Sequence, residues 1–391
     1  MSVSAHNLIV EEIRKRGPIT VADFMSIALY HPEFGYYASE KYRTGRHGDF
    51  FTSVNIGPLF GNLLCHQFNQ LWNILRKHSS SQNRYFDIVE VGASNGQLAC
   101  DVLDTAKKLY PDFYLAIRLH LVEVSTLARV AQRKVLASHT EKIVDTTETL
   151  PTAIHGIVYA NELLDALPVH KVTMTSDGLR ECYVDFNGHA LTEQQGPLSS
   201  NAIEHYLQAL DITLKTNTQA EINLSAMSWM KHACQALKEG FLMLIDYGRE
   251  ATDLYSMLHP EGTLRTYKQH TSTATSDSAT PPWLVEVGKQ DITSHVDLTS
   301  IRRTAETFDF KTLGLLDQTY FLLALWNDLH QNKQNKELFS EPVSVNDTRR
   351  WLTFKSLMIP GGLGSTHKVM VFGKNVGTPS LTGLAGLSRL T

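Results

Sequence analysis

A chain of 391 residues, 42% apolar and 19% charged, can bury a large core, and its formal net charge of −4 leaves no electrostatic footprint for wholesale nucleic-acid binding. The four cysteines (Cys65, Cys100, Cys182, Cys234) form no CxxC pair, which argues against a zinc site or a disulfide framework and suits a reducing compartment. No apolar run reaches membrane-spanning length and the start lacks a signal core, so no membrane insertion and a cytoplasmic protein are the expectations. In chain order, residues 1–80 read as a helical N-terminal cap, with Leu8, Ile9 and Ile13 on one helix face. The cap includes a loop rich in glycine and aromatics, HPEFGYYASEKYRTGRHGDFFTSVNIG, of a kind that packs over something.

From Tyr85 the pattern changes. YFDIVEVG reads as a buried strand, and GQLACDVLDTAKKLY as a helix with Leu98, Val102 and Ala106 on one stripe. AIRLHLVEVS, EKIVDTTETL, HGIVYANELLDALP and FLMLIDYG are further short apolar runs ending in polar residues or glycine, with helical segments between several of them. That βαβ rhythm predicts an α/β fold on a parallel sheet over residues 81–374. Two insertions interrupt it. Residues 169–235 open with a hairpin-like stretch, turning at Asp177-Gly178 and Asn187-Gly188, and close with a helix. Residues 249–300 carry HTSTATSDSATPP, which reads as a mobile loop. The glycine-rich tail, 375–391, is expected to be frayed and flexible.

The stretch EVGASNGQL admits two readings. Gly92-Ala93-Ser94-Asn95-Gly96 fits the G-x-S-x-G elbow of serine hydrolases, and Asp246 with His295 or His367 would complete the order Ser, Asp, His. Against this, few strands precede it, no HGGG-like oxyanion loop is present, and His367 opens the last strand instead of following it. The alternative is a cofactor loop. Gly92 and Gly96 would let backbone approach a ligand, and the spacing is neither the nicotinamide fingerprint nor a P-loop. Glu90 inside the strand suits a cofactor with a cationic amino-acid end. Glu123, after the next strand, can accept two ribose hydroxyls, and Asp145, at the end of the third, can meet an adenine amino group. Singly, these could be an ion-pair partner, an edge carboxylate and a turn residue or helix cap. Jointly they describe an S-adenosylmethionine pocket.

The segments MSIALYHPEFGYY, GDFFTSVNIGPLFGNLL, EVGASNGQL, LVEVS, ANELLDALPVH, DYG, GTLRTYKQH and DITSHVDL, spread over about residues 8–374, resemble the MidA-like methyltransferases. That family includes a mitochondrial arginine methyltransferase needed for respiratory complex I assembly. The resemblance implies a Rossmann-like, seven-stranded class I methyltransferase sheet with a helical N-terminal cap and an inserted substrate lobe. It also implies S-adenosyl-L-methionine as cofactor and a protein arginine acceptor, with a respiratory-complex subunit as candidate. Gly48, Asp49, Thr52 and Ser53 would form a flap over the cofactor. This chain departs from the family pattern where Ser94 replaces the middle glycine, Ala93 a proline, and Asn55 a carboxylate. Those departures keep a second reading in play, a cofactor-binding assembly factor or scaffold with weak turnover.

For the acceptor, a helix starting near Asn161 would put Glu162 and Asp165 on one face, where two carboxylates can clamp a guanidinium. Asn161 would lie nearest the cofactor. The plainer explanation is a capped helix with Leu163, Leu164 and Leu167 in the core. Arg265, Tyr267, His270, Asp291 and His295 are candidates for lining an acceptor channel, although His295 and Asp297 could simply satisfy one another. None of the 17 histidines forms a recognisable metal motif, so no metal is expected.

Overall fold

The structure, a computed structural model, describes residues 4–38, 57–78, 85–268, 271–273, 280–331, 355, 357–359 and 366–389. The chain divides into two compact units. One is Met1–Phe51, Leu164–Met230 and Tyr247–Thr304; the other is Thr52–Leu163, Lys231–Asp246 and Ala305–Thr391.

The second unit carries the main sheet. Its strands are β1 (Phe86–Val91), β2 (Ile117–Val122), β3 (Ile143–Thr147), β4 (Ile154–Asn161), β5 (Leu237–Arg249, whose last residues enter the first unit), β6 (Lys311–Asp317) and β7 (His367–Lys374). Their spatial order is β6-β7-β5-β4-β1-β2-β3. The pairs from β5 through β4, β1 and β2 to β3 are parallel, and β6–β7 is antiparallel. This is the expected seven-stranded α/β sheet. All six residues of β1 are buried, as a central strand covered on both faces requires. The helix Gln97–Leu109 follows β1, and the helix Leu59–His78 packs against it at Gly61, where a Cβ would come within 2.5 Å of the Asp101 Cβ. Phe60, Phe68, Phe86, Phe113, Tyr159, Phe241 and Phe321 fill the core, each side chain stabilising by roughly 1.5–3 kcal/mol on burial.

The tail differs from expectation. Thr382 and Gly383 donate backbone N–H bonds of 2.9 Å to the side chains of Gln70 and Gln67, and Leu381 and Leu384 are buried. Two leucines anchor a segment whose glycines had suggested fraying.

In the first unit, helices Ala5–Arg16 and Val21–Tyr30 share one core with strands Gly178–Phe186 and Leu191–Gly196, through Ile9, Ile13, Phe24, Met25, Cys182, Val184 and Leu191. Ile19–Thr20 pairs antiparallel with Gly178–Phe186. The N-terminal helices and Leu164–Met230 of the lobe therefore fall in one unit and share apolar core, while Lys231–Asp246 and the helix Leu59–His78 group with the main sheet. Thr20 caps the second helix, its Oγ1 accepting from Asp23 N and donating to Asp23 Oδ2. Within 249–300 lies a small antiparallel sheet in the order Thr271–Thr273, Arg265–Lys268, Asp291–Thr293. Residues 274–279 of the Ser/Thr tract fall outside the described residues.

Candidate functional site

Five residues carry the chain from β1 into the helix Gln97–Leu109. Gly92, Ser94 and Gly96 have φ of +71°, +46° and +80°, so alternate residues are left-handed. A Cβ on Gly92 would sit 3.1 Å from Leu163 Cδ1, and one on Gly96 would sit 3.2 Å from Gln132 Cγ. Glycine answers both demands. Ser94 meets the same backbone requirement with a side chain, at a cost of roughly 1–2 kcal/mol. Two bonds hold it there: Ser94 N donates to Glu123 Oε2 at 2.8 Å, and Gln132 Nε2 donates to the Ser94 carbonyl at 2.7 Å.

Glu123 follows β2 and also accepts from Ser125 N at 2.8 Å. Burial raises its carboxyl above the usual range, although the Ser125 and Ser94 N–H groups and Arg129 oppose the shift. Glu90, inside β1, is 5% exposed, and its Oε2 is buried without a hydrogen-bond partner. Burial pushes Glu90 up to about 8, with the Tyr159 hydroxyl opposing and Glu123 adding. Burial without a compensating positive charge is what keeps the neutral acid favoured.

Asp145 does not end its strand. It lies inside β3 as the cross-strand neighbour of His120, whose Nδ1 is 3.0 Å from Asp145 Oδ1. His120 also reaches Asp87 at 3.4 Å; burial works against its charge, yet the two carboxylates raise its pKa above the ordinary value. The register of β2 on β3 thus commits Asp145 to a pair within the sheet.

No helix begins at Asn161. Asn161 is the last residue of β4, and Glu162 has φ +52°, followed by a turn. Glu162 N donates to the Ile245 carbonyl and Leu163 N to Asp246 Oδ2, which ties the turn to β5. The shared helix face proposed for Glu162 and Asp165 does not exist, because residues 162–167 form bends and a turn with Glu162 left-handed; Asp165 is buried. Glu162 Oε1 accepts from Asn161 Nδ2 at 3.2 Å and lies 3.4 Å from Nε2 of buried His367. Asn161 Oδ1 and Glu162 Oε2 are buried and have no hydrogen-bond partner. His367, which opens β7, is the residue the sequence reading missed here. It had been weighed only as a hydrolase histidine, and no local spacing ties residue 367 to residue 162.

The hydrolase triad is not assembled. Among the described residues Ser94 makes no bond to a histidine, Asp246 caps the Leu163 turn, and His367 faces Glu162. Asp291 Oδ1 accepts from Tyr37 at 2.8 Å, and Tyr267 is its cross-strand neighbour. His295 does not pair with Asp297, whose carboxylate takes the Tyr206 hydroxyl and the N–H groups of Thr299 and Ser300. Gly48, Asp49, Thr52, Ser53, Asn55 and His270 lie outside the described residues. Cys100, Asp104 and His139 bring metal-ligand atoms within 4.8 Å of one another, but His139 already engages Asp104 at 2.9 Å and Tyr114 at 2.8 Å.

A seven-stranded sheet in this order, with a glycine loop after its central strand and carboxylates on that strand and after the next, defines a class I S-adenosylmethionine-dependent methyltransferase. The chain belongs to a family of S-adenosyl-L-methionine-dependent methyltransferases, whose model matches residues 63–316. It is 28% identical over 416 aligned positions to the mitochondrial protein arginine methyltransferase NDUFAF7 homolog of Drosophila melanogaster, covering 94% of this chain and 85% of that one. To the mitochondrial protein arginine methyltransferase NDUFAF7 of Rattus norvegicus it is 28% identical, covering 80% and 71%. Its fold is similar to that of a Burkholderia thailandensis protein solved with S-adenosyl-homocysteine: TM-score 0.82, 23% identity, 97% and 94% of the two chains covered.

The expectation of a cytoplasmic protein is overturned by these relatives, which are mitochondrial by name. Composition and cysteine usage could not speak to that distinction. No helix among the described residues is long and apolar enough to cross a membrane.

Proposed function

We propose that this methyltransferase N-methylates an arginine side chain of a protein, and that Asn161 and Glu162 hold the guanidinium. The observation that carries this reading is the pair of orphaned acceptors, Asn161 Oδ1 and Glu162 Oε2, where β4 ends. A buried polar atom left unpaired costs about 1–3 kcal/mol, more when charged. A guanidinium presents five N–H donors in a fixed fork and supplies what both oxygens lack. The names of the relatives favour the same acceptor class. A respiratory-complex subunit is the acceptor we put forward, on the family resemblance alone.

S-adenosylmethionine, when bound, supplies an electrophilic sulfonium methyl group. The residues present fit it. Glu90 would hold the cationic amino-acid end, since its Oε2 is buried without a donor. Glu123 would accept the ribose hydroxyls with the lone pairs left by the Ser94 and Ser125 N–H groups. Gly92, Ser94 and Gly96 would form the backbone wall. Asp145 drops out of this set, its carboxylate being held by His120. For the acceptor, Asn161 and Glu162 would fix the plane of the guanidinium and aim one nitrogen. The Glu162 carboxylate would balance the cation and take the proton that the methylated nitrogen sheds. His367, against Oε1, would act as a positioning residue. Asp165 has no part in this arrangement.

The test is incubation of the purified chain with methyl-labelled S-adenosylmethionine and isolated respiratory-complex subunits, followed by mass spectrometry of digests. Label in methylarginine supports the reading. Cofactor binding with label confined to another residue type would rule out the arginine assignment.

A further inference from the structure

A second group lies wholly within the first unit and is cationic: exposed Arg249, half-buried Arg265, and two half-buried histidines each with one buried, unmatched ring nitrogen. Arg249 ends β5, where Gly248 and Arg249 pair in parallel with the short strand Val296–Asp297. Arg265 pairs with Thr293 of the strand Asp291–Thr293. His295 sits in the two-residue link between these partner strands, so the topology brings Arg249, Arg265 and His295 together. His295 N donates to Thr263 Oγ1 at 3.0 Å, which fixes the link. His259 completes the group, its ring 6.0 Å from that of His295 and steeply inclined to it.

Among the described residues, the one carboxylate that acts on these imidazoles is Asp253, on His259. Arg265 donates to the Leu264 carbonyl at 2.8 Å, and neither guanidinium makes an ion pair among the described residues. Nδ1 of His295 and Nε2 of His259 are buried without partners. Of the neighbouring carboxylates, Asp297 is committed to Tyr206, Thr299 and Ser300, Glu250 to Arg302, and Glu221 Oε2 to Thr263, while Glu221 Oε1 is buried without a hydrogen-bond partner. Burial, then Arg249, His259 and Arg265, push His295 down to about 4. Burial, Arg249 and Arg265 also lower His259, with Asp253 alone pulling the other way.

Exposed Arg249 and half-buried Arg265 beside two half-buried imidazoles make a cationic group that favours the entry of something of opposite charge. We infer that Arg249, Arg265, His259 and His295 form an oxyanion-binding site, taking a carboxylate or phosphate on guanidinium forks and imidazole N–H donors. A bound oxyanion lets each imidazole keep a proton on the nitrogen that now has no partner. An acidic side chain of a bound protein and a free phosphoryl group share this chemistry. The assignment does not depend on the methyl-transfer reading, because every residue in it belongs to the first unit.

The experiment follows the histidine ring signals of the full chain by NMR while inorganic phosphate, and separately acetate, is added at constant ionic strength. The expected result is saturable shifts at His259 and His295, with the His295 titration midpoint rising by about one pH unit for each tenfold preference for imidazolium. Arg265→Gln should weaken binding roughly tenfold or more, and Arg265→Lys, which keeps the charge, should retain part of it. Tighter phosphate than acetate assigns a phosphoryl ligand; the reverse assigns an acidic side chain. Shifts that grow linearly with either anion in the wild-type chain overturn the site. So does saturable binding that Arg265→Gln leaves untouched.

Discussion

The end of β4 and the cluster around His295 both hold buried polar atoms that the fold leaves unmatched, but in opposite senses. At β4 and the neighbouring β1 the surplus is of acceptors: Asn161 Oδ1, Glu162 Oε2 and Glu90 Oε2. Around His295 it is of cations and imidazole nitrogens. A third place in the chain shows what a settled cluster looks like. Buried Asp87 takes Arg118 at 2.7 Å, the His155 N–H at 2.9 Å and His120 at 3.4 Å, and has a carboxyl lowered below its usual range. Such a group is structural. The unmatched clusters carry a standing cost, and the proposed ligands are those whose sign would relieve it: N–H donors and cations at β4, an oxyanion at His295.

The largest effect that can break this comparison is at Glu162. Glu162→Gln should lower methyl transfer about 10²–10⁴-fold while calorimetry finds nearly unchanged S-adenosylmethionine affinity, since the amide keeps the shape but loses the charge and the base. Unaltered turnover would remove Glu162 from the acceptor site.

Glu90 comes next, through pH. A cationic ligand favours its ionised form, so cofactor affinity should rise up to about tenfold per pH unit as pH climbs towards about 8, then level off. The sign for stability is opposite. The folded carboxyl titrates near 8 against an ordinary 4.5, so the folded state holds a proton that the unfolded chain has lost between those values. That stabilisation is complete below about 4.5 and lost as pH rises through 8, at up to about 1.4 kcal/mol per pH unit. Glu90→Gln should flatten both profiles, read by calorimetry and thermal melts. A profile unchanged by the substitution would assign the titration elsewhere.

Smaller effects sharpen the loop itself. Gly96→Ala should destabilise by about 1–2 kcal/mol for its left-handed backbone, plus the push on Gln132 and Leu136, with weaker cofactor binding. Ser94→Gly should do least. Relief of about 1–2 kcal/mol of backbone strain is offset by about 0.4–1 kcal/mol of added unfolded-state freedom, leaving a slightly more stable chain with tighter cofactor binding. A marked loss of affinity would mean the Ser94 hydroxyl makes a needed contact. None of these loop changes should alter anion binding at His295.

Much of the sheet was legible because its signal is local. Runs such as FDIVEV and HGIVYAN declare buried strands, and the glycines after β1 declare a turn that needs left-handed residues. Glu90 and Glu123 were legible for the same reason, since a carboxylate on or just after a strand is placed by that strand alone. For Asn161 and Glu162, the local structure expected from the sequence was wrong. Leu163, Leu164 and Leu167 look like a helix stripe until Glu162 adopts a left-handed φ of +52° and its N–H and that of Leu163 are bonded to β5, which turns the backbone away from a helix.

The sequence by itself therefore determined the α/β class, the parallel strands, the glycine loop and the carboxylates at its edge. These depend on the period of apolar residues and on backbone conformations that neighbours in the chain impose. Only the tertiary structure decided that Asp145 belongs to His120, that His367 stands against Glu162, that the tail docks, and that Arg249, Arg265, His259 and His295 meet. Most of those pairings join residues from tens to a few hundred positions apart, and even His259 and Arg265, six apart, fall on different local structures. Strand register and sheet order alone bring them within reach, and no spacing along the chain encodes them.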